Sequence, residues 1–318
     1  MKVYVKTPAR LHLGLIDLSG DLGRIFGGLG VAIDRPNVIL EAEKSQTLTV
    51  SGKKVELTRK LATNFLEAYG LKEKVSIYVE QAIPEHVGLG SGTQLALAVA
   101  TTIARLYGLK ASTHEFAAVM GRVAQSGVGT AVFEQGGLVV EAGKKTKDPT
   151  QKIIPLICRL PFPEEWRFVV AIPNVEKGLA NEAEVLAFKQ LPPMAPEKVG
   201  KICRLTMMKL LPAVVEKDVK SFGEALTQIQ FIVGDSFAKA QGGRYSSLPT
   251  EKCIEFMLQN GAYGSGQSSW GPAVYGVVKS SDAKDLQAKT KAFLDSSVGG
   301  EVFAAKANNR GAIIKVVK

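Results

Sequence analysis

The stretch Pro84-Glu-His-Val-Gly-Leu-Gly-Ser-Gly-Thr-Gln94 decides how this chain of 318 residues is read. Gly88, Gly90 and Gly92 alternate beside Ser91 and Thr93, and an apolar run, Leu95 to Ala100, follows at once. The extended segment VSIYVEQAI (Val75 to Ile83) comes just before, so the order is strand, glycine turn, helix. Glycines there admit positive φ and close approach of the backbone to a ligand. A helix start leaves N–H groups unpaired, and its dipole favours an anion. The segment Gly88, Leu89, Gly90, Ser91, Gly92, Thr93, Gln94 is therefore expected to cradle a phosphate or pyrophosphate rather than to serve as a plain turn.

Outward from the cradle, Val3–Val5, Leu11–Leu18, Val38–Ala42 and Leu48–Val50 pattern as strands on its N-terminal side, with a helix over Leu57–Tyr69. On the other side a helix is expected over Gln94–Tyr107. A second, opened by the capping box Ser112-Thr-His-Glu115, should run through about Val123. Ala131–Glu141 and Phe168–Ile172 read as strands. After Pro173 helices dominate: 182–188, 197–215, 218–233 (capped by Asp218), 250–259 and 282–294, with strands at Ala273–Val278 and Ala312–Val317. Mixed strands and helices predict an α+β protein of two domains, 1–175 and 176–318.

Composition bounds the function. The chain is 46% hydrophobic and 22% charged, enough apolar content for a real core. No run of 18 apolar residues is present, so no membrane is expected, and the N-terminal MKVYVK reads as a strand rather than a signal peptide. Cys158, Cys203 and Cys253 are far apart and form no CxxC pair, which points away from structural zinc or a disulfide framework and toward a cytoplasmic protein. The net charge of +10 comes from scattered lysines with no basic block interleaved with aromatics, so no nucleic acid partner is expected. A basic protein does attract small polyanions.

The cradle PEHVGLGSG resembles the phosphate-binding motif of the GHMP kinase superfamily, Pro-x-x-x-Gly-Leu-Gly-Ser-Ser. PARLHLGL (Pro8 to Leu15) is similar to that superfamily's N-terminal strand motif, and GAYGSGQSSWGP (Gly261 to Pro272) to its C-terminal glycine loop. The resemblance implies a ribosomal-protein-like N-terminal domain and a ferredoxin-like C-terminal one. RLHLGLIDLSGDLGRIFGGLGVAI, GLGSGTQLALAVA, SGVGTAVFEQGG, AQGGRY and GSGQSSWGP further resemble the β-ribofuranosylaminobenzene 5′-phosphate synthase family of methanopterin biosynthesis. That family joins 4-aminobenzoate, or 4-hydroxybenzoate, to phosphoribosyl pyrophosphate with release of carbon dioxide and pyrophosphate. The match implies a magnesium (Mg2+) requirement and a homodimer. The alternative on the same scaffold is an ATP-dependent small-molecule kinase. Such kinases often carry an aspartate that accepts the alcohol's proton; the corresponding stretch, Gly127 to Gly137, holds none.

Within that resemblance, candidate roles can be set out. Ser91 and Glu134 are candidate magnesium ligands, Glu134 being equally readable as a surface glutamate. Asp17, Asp21 and Arg24 follow a strand on a stretch that ends in the glycine-rich run Gly27-Gly-Leu-Gly30 and reads as a flexible loop, or more plainly as a solvated hairpin of turn residues. Arg24 could grip a phosphate or carboxylate, and either aspartate could meet ribose hydroxyls, magnesium or the substrate amine. Arg10 and His12 share one face of the first strand, where His12 is a candidate proton relay or a satisfied strand histidine. Gln267, Ser268 and Trp270 lie in the C-terminal loop, and the Trp270 ring could cover an aryl substrate or simply pack. Gln241, Arg244 and Tyr245 form a polar cluster that could close over the site or simply be an exposed helix-ending loop.

Overall fold

Period-two burial builds the first sheet. In β1 (Lys2–Lys6) Val3 and Val5 point inward, and the strand pairs antiparallel with β4 (Ile39–Ser45) on one side and β14 (Ile313–Val317) on the other. With β5 (Thr49–Gly52) and β6 (Lys74–Gln81) the order is β14-β1-β4-β6-β5, the β5–β6 pair alone being parallel. The structure, a computed structural model, describes residues 1–72, 74–122, 126–148, 150–179 and 181–317, with only the backbone of Asn181 and Glu182.

A second antiparallel sheet joins β2 (Ala9–Asp17), β3 (Arg24–Ile33), β7 (Leu138–Glu141) and β9 (Leu156–Leu160), with β8 (Lys144–Lys145) on the far end of β3. Against β1 and β4 of the first sheet runs α2 (Ser91–Tyr107), buried on nearly every side from Gln94 to Ala104, as an apolar run without polar stripe requires. It packs on α1 (Val55–Ala68), α3 (Thr113–Val119) and α4 (Val128–Gln135). The capping box of Ser112 and Glu115 forms as expected; α3 ends at Val119, and the expected end at Val123 lies outside the described residues.

The third sheet, β11 (Gly264–Gln267), β12 (Val274–Lys279), β10 (Trp166–Pro173) and β13 (Gly300–Ala305), carries three packed helices. These are α8 (Val219–Gln241), α9 (Leu248–Gln259) and α10 (Ala283–Asp295). Asp218 caps α8 by accepting from the amides of Lys220 and Ser221. Between β10 and α8 lie α5 (Asn181–Gln190), α6 (Pro196–Leu205), a π-helical turn (Thr206–Leu210) and α7 (Leu211–Glu216). β10, which precedes residue 175, sits in the third sheet, and β14 returns to the first. The chain thus enters the third sheet once, at β10, and leaves it once, for β14.

Two sequence expectations are corrected. Ala131–Glu141 is not one strand: it begins in α4 and becomes β7 only after Gly136 and Gly137 break the helix. Val128, Ala131 and Val132, spaced three and four apart, bury together against Ala32 and Val139, and a short apolar run does not show that period on its own. The glycine-rich run Gly27–Gly30 is not a flexible loop but the middle of β3. Its glycines serve close packing: a Cβ at Gly30 would run into Val128 of α4, and one at Gly28 would stand 2.7 Å from the Glu141 carboxylate.

Candidate active site

The three glycine-bearing motifs converge on one point. Gly90, in the left-handed region at φ 78°, is the residue before α2, and no side chain caps that helix. Helix geometry leaves the first amides, those of Ser91, Gly92 and Thr93, without intrahelical partners, and these residues line an open cleft. From β2, the Arg10 amide donates to the Leu89 carbonyl at 3.1 Å, and its guanidinium donates to the Gly88 carbonyl at 2.7 Å. The turn after β11 closes the other side: the Ser268 hydroxyl donates to the Gly88 carbonyl at 2.7 Å and accepts from the His12 amide at 2.9 Å. Gly88 is obligatory there, since a Cβ would strike the Ser268 carbonyl.

Two arginines flank the cradle. Enclosure by protein, partly offset by Glu184, lowers the Arg10 guanidinium to about 10, so it stays cationic at neutral pH. Arg122 lies against Gly92, its Nε buried without a hydrogen-bond partner among the described residues, and burial pulls its pKa down. Helix N-terminus, open amides and two guanidinium groups together give the cleft the donors and the positive charge that a polyanion requires.

A second cavity adjoins it. Its apolar wall is Phe188 of α5, Phe237 of α8 and Trp270, whose ring meets the two phenylalanines edge-on at 5.3 and 4.7 Å between centroids. Its polar side is His12, Gln230, Gln241 and Gln267, with Arg244 and Tyr245 at the rim cluster Gln241–Tyr245. A β-bulge after His12 turns the strand so that the imidazole faces the cavity. Burial and the nearby Arg10 push His12 down to about 3, so the ring is neutral at physiological pH. Its Nε2 lies 3.4 Å from the Ser126 hydroxyl, and Ser126 in turn hydrogen-bonds the buried Glu141 carboxyl. Burial raises Glu141; the amides of Gly143 and Gly127, then Ser126 and Arg24, oppose that rise.

Four residues line both spaces: Arg10, Glu184, Ser269 and Trp270. Glu184 was not among the sequence candidates; its Oε1 accepts from the Trp270 indole N–H at 3.1 Å. Arg122 and Ser126 were missed as well.

The structure gathers Arg10, His12, Gly88, Gly90, Ser91, Gly92, Thr93, Gln267 and Trp270 around the paired cavities. It places the other candidates elsewhere. Leu89 is wholly buried, offering only its carbonyl. The Gln94 side chain is sealed between helices, donating to the Gly129 carbonyl at 2.8 Å. Ser268 is used up in joining the loop to the cradle. Asp17 folds the β2–β3 turn, accepting from Ser19 and Gly20, and Asp21 is exposed on that turn. Arg24 begins β3 and donates to the carbonyls of Ala142 and Gly143, so it reaches the site only from behind, through Glu141, Ser126 and His12. Glu134 sits on the exposed side of α4, 3.7 Å from the His114 imidazole, and not at the cradle.

The described residues contain no set of three or more His, Cys, Asp or Glu side chains able to hold a metal ion. Among the described residues, the cleft offers a cation the carboxylates of Glu85, ion-paired with Lys54 at 2.8 Å, and of Glu184, together with the hydroxyls of Ser91, Thr93 and Ser269. Such a sparse donor set fits magnesium carried mainly by a ligand's phosphates. No helix is long and apolar enough to cross a membrane among those described.

The models of the GHMP kinases N-terminal and C-terminal domains match residues 56–137 and 210–295. The chain is 38% identical to β-ribofuranosylphenol 5′-phosphate synthase of Archaeoglobus fulgidus, covering 98% of this chain and 99% of that protein. It belongs to the β-ribofuranosylphenol 5′-phosphate synthase family, within the GHMP kinase superfamily. The enzyme of the same name from Methanothermobacter thermautotrophicus is 36% identical over 87% of this chain and 89% of its own length. Among solved structures, the homoserine kinase of Cytophaga hutchinsonii superposes with a TM-score of 0.71 over 99% of this chain and 97% of its own, at 19% identity, a likeness of fold. The synthase family thus shares its scaffold with kinases, as the cradle motif implied.

Proposed function

We propose that the protein is a decarboxylating phosphoribosyltransferase of tetrahydromethanopterin biosynthesis. It joins 4-hydroxybenzoate or 4-aminobenzoate to phosphoribosyl pyrophosphate and releases carbon dioxide and pyrophosphate. The phenol in its relatives' name favours 4-hydroxybenzoate. The observation that carries this reading is a polyanion cradle and an aromatic-walled cavity sharing one wall. The reaction needs that pairing, because the bond to a leaving diphosphate breaks at the carbon where a ring must attack.

In this reading the first-turn amides of α2 with Arg10 and Arg122 take the pyrophosphate, and the ring lies among Phe188, Phe237 and Trp270. The C1′–oxygen bond breaks with its electron pair leaving on pyrophosphate. The ring carbon bearing the carboxylate bonds to C1′, and the carbon–carboxylate bond then returns its electrons to the ring as carbon dioxide departs. Fixed donors aimed at the departing charge are the largest lever available to such a site. Magnesium, met by the Ser91 hydroxyl, would supply further charge neutralisation on the diphosphate. Neutral His12, steadied by Ser126, offers a hydrogen bond to the ring's polar substituent.

Incubation with phosphoribosyl pyrophosphate, magnesium and carboxyl-labelled 4-hydroxybenzoate should release labelled carbon dioxide in step with pyrophosphate. No release, with ADP formed from ATP and a hydroxylated acid, would replace this reading by the kinase alternative.

A further inference from the structure

We infer that Glu184 is the catalytic carboxylate that faces the reacting carbon between the two cavities. The inference rests on the proposed reaction, and goes beyond it by assigning the group that meets the positive charge.

Where that charge develops is fixed by geometry. Pyrophosphate in the cradle and a ring in the aromatic cavity leave the C1′ carbon at their common wall, formed by Arg10, Glu184, Ser269 and Trp270. Among the described residues, Glu184 is the one carboxylate that lines both spaces; Glu85 lines the cleft alone and is paired with Lys54. As the bond to pyrophosphate breaks, C1′ and its ring oxygen become cationic. Arg10 and Trp270 cannot stabilise that centre with negative charge. A carboxylate held in a half-buried wall acts there through a low effective dielectric, where a charge is worth more than in water.

Its holding is built for the task. The Trp270 indole N–H fixes Oε1, and Trp270 is itself held edge-on by Phe188 and Phe237. Phe188 is four residues along α5 from Glu184, so one helix supplies both the ring's wall and the charge. Burial raises the Glu184 pKa, while Arg10 and then the indole hydrogen bond favour the ionised form. A purely structural acid would need only an acceptor for the indole, which an amide supplies equally.

That distinction gives the test. Glu184→Gln keeps an acceptor for Trp270 and removes the charge. With 4-hydroxybenzoate, phosphoribosyl pyrophosphate and magnesium, its kcat should fall at least 100-fold. The Kd for magnesium pyrophosphate should stay within threefold and the KM for the aryl acid within fivefold. Trp270→Phe, which removes the indole N–H and keeps Glu184, should mainly raise the aryl KM. Glu184→Ala should regain at least tenfold in rate with added formate and none with chloride; that arm decides the matter if the Gln variant is unstable. A Glu184→Gln kcat within fivefold of the parent, no formate rescue, or an equal kcat loss in Trp270→Phe would overturn the inference while the transferase reading stands. A parent protein that releases no carbon dioxide would sink both together.

Discussion

The two adjoining cavities are made of different material. The cradle is main chain: amides at the start of α2, the Gly88 carbonyl held by Arg10 and Ser268, and glycines at φ values that other residues rarely adopt. The aromatic cavity is side chain: rings from α5, α8 and the loop before β12, and polar ends from β2, α8 and β11. A main-chain site tolerates almost no change at its glycines, yet is indifferent to many side chains around it. A side-chain site can be tuned residue by residue, which is how one scaffold can keep an anion cradle and exchange the second substrate.

The hardest blow to that contrast is Gly90→Val. A Cβ there would lie 2.8 Å from Arg10 Cγ, in a backbone region hostile to β-branched residues. Calorimetry should show pyrophosphate affinity falling at least 1000-fold, about 4 kcal/mol; retained binding would mean that the cradle is not the anion site. Arg122→Met comes next. Its Nε has no protein partner among the described residues, so the loss should fall on the ligand: affinity down roughly 30- to 100-fold, about 2–3 kcal/mol, with the melting temperature nearly unchanged. An equal loss of aryl binding would blur the division between cavities. Phe237→Leu should raise the aryl KM about tenfold, near 1.4 kcal/mol, and leave pyrophosphate binding alone.

The smallest effect concerns acid. His12 is neutral in the fold until about pH 3, against an ordinary value of 6.5. Between those values the unfolded chain binds the extra proton, so the stability His12 contributes is whole above pH 6.5 and fades as pH falls toward 3. His12→Gln should flatten that part of the stability curve, and the His12 imidazole NMR shifts of the parent should show no titration between pH 5 and 8. A midpoint near 6.5 would place the ring in water rather than in the cavity.

The same contrast explains what could be read from sequence. The strand, glycine turn and helix around Gly88–Thr93 were legible because they are consecutive in the chain. Arg10 and His12 were legible through period two along β2. The aromatic cavity was announced only by Trp270, since Phe188 and Phe237 look like ordinary core residues of separate helices. Glu184 hides among the charges of α5, and Arg122 and Ser126 carry no local signal. Misreadings came from residues with two uses. The glycines of β3 have the composition of a turn but admit α4, and Arg24 has the chemistry of an anion grip but ties down the carbonyls after β7.

The pairing of β14 with β1 reaches beyond the site. Residues 313–317 flank residues 2–6 in a sheet whose inner face supports α2 and hence the cradle. During synthesis, then, the glycine turn emerges long before the strand that completes its support. Co-translational folding of the first half should stall in a loosened state, open to proteases, until some two hundred further residues have left the ribosome.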